Sequence, residues 1–371
     1  MKHVDEYRNG RLARAMARAI AAEARPGRVY RLMEFCGGHT HGIHRYGIPG
    51  LLPDNVRMIH GPGCPVCVLP MGRIDAAIEL ANRPEVILCT YADMLRVPGS
   101  RRTSLMQARA LGADVRMLYS TLDALKIARE NPGREVVFFA IGFETTTPPT
   151  AMAVKEAQRL GLGNFTVFCN HVLTPPAMRG ILAQPGVMID GFVGPGHVSA
   201  VIGRDAYEFA AREYAKPLVI SGFEPLDLMH AIRLLIRQLN EGRAEVENEY
   251  ARVVSDRGNP IALDLMDEVF EQRPSFEWRG LGMIPHSALR LRDEFAAFDA
   301  EQRFALAAGP VPDNKACECA DILRGLKQPQ DCKVFATACT PDNPLGACMV
   351  SSEGACAAWY TYGRHRKRRR A

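Results

Sequence analysis

Short apolar runs alternate with stretches of helical periodicity along the first 240 residues, and glycine-rich turns separate them. That rhythm predicts strands joined by helices, the α/β class. Residues 5–24 place Leu12, Ala15, Met16, Ala19 and Ile20 at helical spacing and stop at Pro26-Gly27, an amphipathic opening helix. Runs at 29–33, 56–59, 86–90 and 115–118 read as strands, with helices over 73–81 and 105–111. A second round follows, with strands at 136–141, 165–169, 188–193 and 218–221 and helices over 122–130, 149–160 and 204–214. Beyond residue 240 the pattern changes to helices over 241–252, 263–270 and 295–306, spaced by Pro- and Gly-rich loops.

Two short words recur. Phe35-Cys36 and Gly61-Pro62-Gly63 reappear as Phe168-Cys169 and Gly194-Pro195-Gly196, each displaced by 133 residues. Matched displacement of two words points to an internal duplication. The expected fold is two related α/β, Rossmann-like domains facing a cleft, residues 1–125 and 126–240, plus a mainly helical, cysteine-rich domain over 241–371.

Composition narrows the setting. The longest apolar run, 136–143, is far short of the roughly 20 residues a membrane helix needs. The charged start, Met1-Lys2-His3-Val4-Asp5-Glu6, lacks the apolar segment of a secretion signal. A cytoplasmic protein without membrane partners is therefore expected. The net charge of +5 is concentrated in Arg364-His365-Arg366-Lys367-Arg368-Arg369-Arg370, and no aromatic interleaves these residues. They read as a solvated terminus, not a nucleic-acid site.

Cysteine usage changes the picture most. Eleven cysteines in a cytoplasmic chain imply metal ligation or redox chemistry, since structural disulfides are rare there. Glu34-Phe35-Cys36-Gly37-Gly38-His39-Thr40-His41 places a thiol and two imidazoles at the mouth of a strand, beside a Gly-Gly turn that lets a ligand approach closely. A catalytic Cys/His pair, a soft-metal site and a buried structural cluster all fit these letters. Cys64-Pro65-Val66-Cys67 can close a small disulfide ring or hold a reactive thiolate, and no second CxxC stands nearby to complete a zinc site. Cys317, Cys319, Cys332, Cys339, Cys348 and Cys356 supply six thiols within forty residues, two more than a [4Fe-4S] cluster requires. Their spacing does not identify the four ligands. Glu144, Asn170-His171, His197 and Glu224 follow strands and suggest one lined cleft. Thr145, Thr146 and Thr147 suit helix capping, and no Gly-Lys-Ser/Thr word supports a nucleotide loop. Cys89 and Cys169 fall within strands and read as small core residues.

The words around Cys36 and Cys64, with Gly142-Phe143-Glu144-Thr145-Thr146-Thr147-Pro148, Gly194-Pro195-Gly196-His197-Val198 and Met349-Val350-Ser351-Ser352-Glu353-Gly354-Ala355-Cys356, resemble the HypD family of hydrogenase maturation factors. The likeness spans nearly the whole chain in order. It implies a scaffold and redox protein on which the Fe(CN)2CO unit of [NiFe]-hydrogenase is assembled, with a HypC-type small chaperone and a HypE-type cyanide donor as partners.

By the same resemblance Cys36 would bind the iron, with His39 close to it, and Cys64 and Cys67 would form the neighbouring dithiol or disulfide. The C-terminal thiols would hold a [4Fe-4S] cluster through Cys317, Cys332, Cys339 and Cys356. That assignment leaves Cys319 and Cys348 as a second redox pair. The rival ligand set is Cys332, Cys339, Cys348 and Cys356. A different class of function, an iron–sulfur thiol–disulfide reductase acting on other proteins, shares the same cysteines.

Overall fold

The computed structural model describes residues 4–306 and 309–363. Its apolar runs form β1 (Tyr30–Glu34), β2 (Val56–His60), β3 (Val86–Thr90), β4 (Val115–Met117), β5 (Glu135–Gly142), β6 (Phe165–His171), β7 (Gly191–Pro195), β8 (Leu218–Ser221) and β9 (Val246–Asn248). One parallel sheet has the order β2-β1-β7-β8-β9, and a second, also parallel, has the order β4-β3-β5-β6. Residues in β3 and β6 are buried throughout. Burial on both faces is why these strands read as mostly apolar runs without regular polar alternation.

Helices cover the sheets. Helix Gly10–Glu23 begins where the Asn9 side chain accepts from Arg11 N and Leu12 N, satisfying two otherwise unpaired donors. It lies against helix Pro225–Glu241, and Ile20, Leu228, Ile232 and Leu235 close the core over the first sheet. That long helix ends at Gly242, whose φ of 69° suits glycine. On the second sheet, helices Leu122–Glu130 and Thr147–Leu160 bury Ala124, Leu125, Ala151 and Val154.

The expected borders at residues 125 and 240 do not follow the sheets. β1 and β2 share a sheet with β7, β8 and β9, and β3 to β6 form the second sheet between them in sequence. The words displaced by 133 residues match β1 with β6 and β2 with β7, and only β6 of these lies in the second sheet. Short repeated turns record a shared local geometry, whereas sheet membership depends on long-range pairing.

Two helix expectations also change. The charged stretch 241–252 contains β9, an edge strand pairing with β8, and the helix ends before it. The described residues beyond 241 are not mainly helical: β10 (Phe270–Gln272) pairs with β13 (Leu289–Leu291), and β11 (Ser275–Trp278) pairs with β12 (Gly282–Pro285), both antiparallel. Helix Pro260–Val269 matches expectation, but the helix expected over 295–306 shrinks to turns at Asp293–Phe298 and Ala300–Arg303. Met266, Val269, Phe270, Leu289 and Phe298 join the core of the second sheet, so this stretch is a layer upon it. The basic run at 364–370 lies outside the described residues.

Parallel strands end on the same edge, and the carboxyl ends of the two sheets converge. A cavity of about 480 Å³ there is lined by Cys36 after β1, Tyr91 after β3, Leu118 after β4, Phe143 after β5 and His197 after β7.

Candidate functional site

Cys36 is the N-cap of helix Gly37–Arg45, so the two glycines open a helix instead of forming a free turn. Both neighbouring loops press on this point. A Cβ on Gly63 would overlap the Cys36 backbone, and one on Gly37 would overlap the Glu353 side chain. Gly37 N donates to Gly63 O at 3.0 Å. The glycines therefore serve close approach of three segments.

Beneath Cys36 lies a buried polar network. Cys36 N donates to Glu34 Oε2 at 3.0 Å, and Thr40 Oγ1 donates to Glu34 Oε1. His60 Nδ1 stands 2.9 Å from Glu34 Oε1, and its Nε2 is 3.0 Å from His44 Nε2. Burial raises the Glu34 carboxyl above its ordinary range, against the opposing bonds from His60 and Thr40. The hydrogen bonds from His60 and Thr40 satisfy a carboxyl group that water cannot reach.

The Cys36 thiol is pushed up to about 12, first by burial and then by Glu353, while the amides of His39 and Gly38 at the helix start oppose this. His39 thus meets the thiol through its backbone. Its ring turns away, with Nε2 3.1 Å from Ser221 O and the ring 4.8 Å from Phe223, and burial lowers its pKa to about 4. His41 stands on the outer side, near Ser352 O and Tyr362.

Of the polar groups expected in one cleft, His197 lines the cavity, and Thr145 and Thr146, expected as helix caps, line it as well. His197 stacks on Phe223 at 3.7 Å. Glu144 accepts from Thr174 N and Oγ1 at 2.8 and 2.9 Å, anchoring the start of the next helix, and burial raises it to about 7. His171 pairs with Thr150, Asn170 with Arg73, and Glu224 with Arg8. Pairing along a strand decides which polar side chains reach the cleft, and a position after a strand does not reveal it.

The cavity also receives Asp93, Ser351 and Glu353. Ser351 Oγ donates to Asp93 Oδ2 at 2.6 Å. Burial raises the Glu353 carboxyl, and Asp93 and Glu34 add to the effect. Their only sequence signal is the word around Ser351 and Glu353, which reads as part of the cysteine-rich end.

Cys64 and Cys67 are joined in a disulfide with a Cα–Cα separation of 5.2 Å. Pro65–Val68, capped by Cys64 and carrying Cys67, forms a single helical turn and packs against Ala347–Met349, which carries Cys348. Gly63, the residue before Cys64, touches Cys36, so thiol, disulfide and C-terminal segment are neighbours.

At the C-terminal end, Cys317 Sγ and Cys319 Sγ lie 3.1 Å apart. A hydrogen bond to Cys319 and burial raise both Cys317 and Cys356, with Cys348 also acting on Cys356. Burial lifts Cys339 to about 11, and Leu345 N stands 3.4 Å from its sulfur. Cys332 instead faces Glu318, and burial raises it. Cys89 and Cys169 are buried within strands, and burial raises both thiols, to about 12 and about 11.

No group of three or more His, Cys, Asp or Glu side chains among the described residues is already spaced to hold a metal ion. The donors are nevertheless of the kind an iron–sulfur cluster takes. Sulfur predominates, and Gly346 leaves room at the thiols, since a Cβ there would come within 2.9 Å of Cys319 Sγ. Buried thiols raised in this way ionise only when a cation compensates them, as bound iron does.

Fold and site together define an α/β protein whose centre is built from cysteine sulfur at the carboxyl edges of two parallel sheets. Residues 11–363 match the family model of HypD, described as the hydrogenase formation hypA family. The hydrogenase maturation factor HypD of Azotobacter vinelandii is 67% identical over 372 residues, covering 99% of this chain and 98% of that protein. Its Cupriavidus necator counterpart is 64% identical and that of Escherichia coli 49%, each with 98% of both chains covered. The chain belongs to the HypD family of hydrogenase maturation factors, and its role lies in hydrogenase maturation. No helix among the described residues is long and apolar enough to cross a membrane.

Proposed function

We propose that Cys36 anchors the iron on which the Fe(CN)2CO unit is assembled, with a HypC-type partner supplying a second thiolate and a HypE-type partner supplying cyanide. The observation that carries this reading is the contact between Cys36 and the loop that leads into the Cys64–Cys67 disulfide. A soft thiolate at a helix start, facing a partly apolar cavity, suits an iron cargo and shields it from water. Iron binding displaces the thiol proton, and the Glu353 carboxylate beside Cys36 is placed to receive it.

Release of cyanide from a protein thiocyanate consumes two electrons: RSCN + 2e⁻ + H⁺ gives RSH + CN⁻. Oxidation of a Cys64/Cys67 dithiol to the disulfide supplies both electrons and releases two protons. A [4Fe-4S] cluster held by Cys317, Cys332, Cys339 and Cys356 would supply one-electron transfer when bound. Cys319 and Cys348 then form the intervening redox pair. Contact of Ala347–Met349 with Pro65–Val68 supports this order.

The test is infrared spectroscopy of the chain purified anaerobically with its HypC-type partner. The wild type should show CN and CO stretching bands, and Cys36→Ala should lack them at unchanged fold. Absence of the bands in the wild type, with turnover of protein disulfides in the absence of iron, would establish the reductase function instead.

A further inference from the structure

A second cavity, of about 590 Å³, opens between the segment 96–107 and the stretches 312–315 and 342–345. Arg96, Arg102 and Lys315 line it, and all three are exposed. Arg96 donates to Pro341 O, and no carboxylate among the described residues forms an ion pair with any of the three. Of the two acidic residues present, Asp313 is held by Arg279 at 3.1 Å, so Asp342 alone opposes three cations. Met106, about half exposed, adds an apolar contact.

The inner wall of this cavity is the sulfur-bearing segment. Leu345, on the wall, donates its amide to Cys339 Sγ at 3.4 Å. The following residue, Gly346, lies directly against Cys319, and Lys315 stands two residues before Cys317. Whatever docks here is therefore separated from three thiols by about one residue's thickness.

We propose that this cationic rim is the docking surface for a small acidic one-electron carrier that reduces the thiol system. The proposal rests on the redox role given above. The three cations come from two segments of the chain and stand exposed around a mouth. A phosphate site would instead converge buried N–H groups on one point. Spread, exposed charge of one sign steers an oppositely charged protein and sets its orientation. In the overall reaction two carriers are each oxidised by one electron, the Cys64–Cys67 S–S bond breaks, and two protons from solvent complete the two thiols.

The experiment uses the full chain, anaerobically, with a small acidic [2Fe-2S] ferredoxin as probe. Titration with the oxidised ferredoxin should show saturable binding that weakens with salt, and R102E/K315E should weaken it by about tenfold or more. R102Q/K315Q should fall between the two. Thiols released by reduced ferredoxin should appear more slowly in R102E/K315E by a similar factor, while reduction by uncharged dithiothreitol keeps its rate. Equal binding by wild type and R102E/K315E, or no binding by the wild type, overturns the proposal. So does saturable ATP binding that the same changes abolish without any ferredoxin binding. If dithiothreitol releases no thiols, the redox reading fails, and the binding titration still decides the docking surface.

Discussion

Gly63 and Cys36 touch through their backbones: a Cβ on Gly63 would overlap the Cys36 amide and Cα. The loop carrying the disulfide is thus pressed against the thiol by the lack of a side chain.

Gly63→Ala should therefore lower stability by about 1–3 kcal/mol, the usual cost of overpacking a close contact. The urea midpoint measures this. The same change should move Cys36 from the helix start and speed its alkylation. An unchanged midpoint would mean that the loops part at no cost.

The disulfide makes a counting prediction. Nine of the eleven cysteines are free, so the wild type should titrate nine thiols when denatured without reductant. Cys64→Ser, with one cysteine fewer, should titrate ten, because Cys67 loses its partner. A count of eight in the variant would show that Cys67 pairs with another cysteine.

Serine substitutions at the C-terminal end separate the two ligand sets. Cys317→Ser, Cys332→Ser, Cys339→Ser and Cys356→Ser should each lower iron per chain after anaerobic reconstitution, whereas Cys319→Ser and Cys348→Ser should retain it. Iron lost from Cys348→Ser and kept by Cys317→Ser would assign the rival set. Cys317 and Cys348 are the informative positions, because Cys332, whose sulfur faces Glu318, is common to both sets.

His39 and His171 are buried, and burial lowers each to about 4. Both are neutral in the fold, while in the unfolded chain they protonate below about 6.5. The unfolded state then binds more protons, so stability is full above about pH 6.5 and is lost as pH falls toward 4. The loss reaches about 3 kcal/mol for each residue, by the linkage relation. Urea midpoints at pH 7 and pH 5 should differ, and His171→Gln should reduce the difference. A pH-independent midpoint over this range would contradict the burial of both rings as neutral groups.

The strands and most helices of the first 240 residues were legible because apolar periodicity and turn residues are local properties. Helix Leu122–Glu130 and strand β3 fall where periodicity places them. Helix Thr174–Leu182 went unread, since its two prolines at the start resemble a loop, although proline is tolerated in a first turn. Stretch 241–252 was misread because its charges mimic a solvated helix, while β8 offers Val246–Asn248 a strand edge.

The amino-acid order alone fixes the chemistry: which positions carry thiols, which turns are glycine, and which words mark the HypD family. These are covalent facts or short-range preferences. Long-range packing sets which sheet each strand joins, which way the His39 ring turns, and which carboxylates stand beside Cys36. Those depend on contacts between residues far apart in the chain, as Glu353 against Gly37 and Ser351 against Asp93 illustrate. The segment that closes the Cys36 cavity comes from the last part of the chain, and packing alone brings it there.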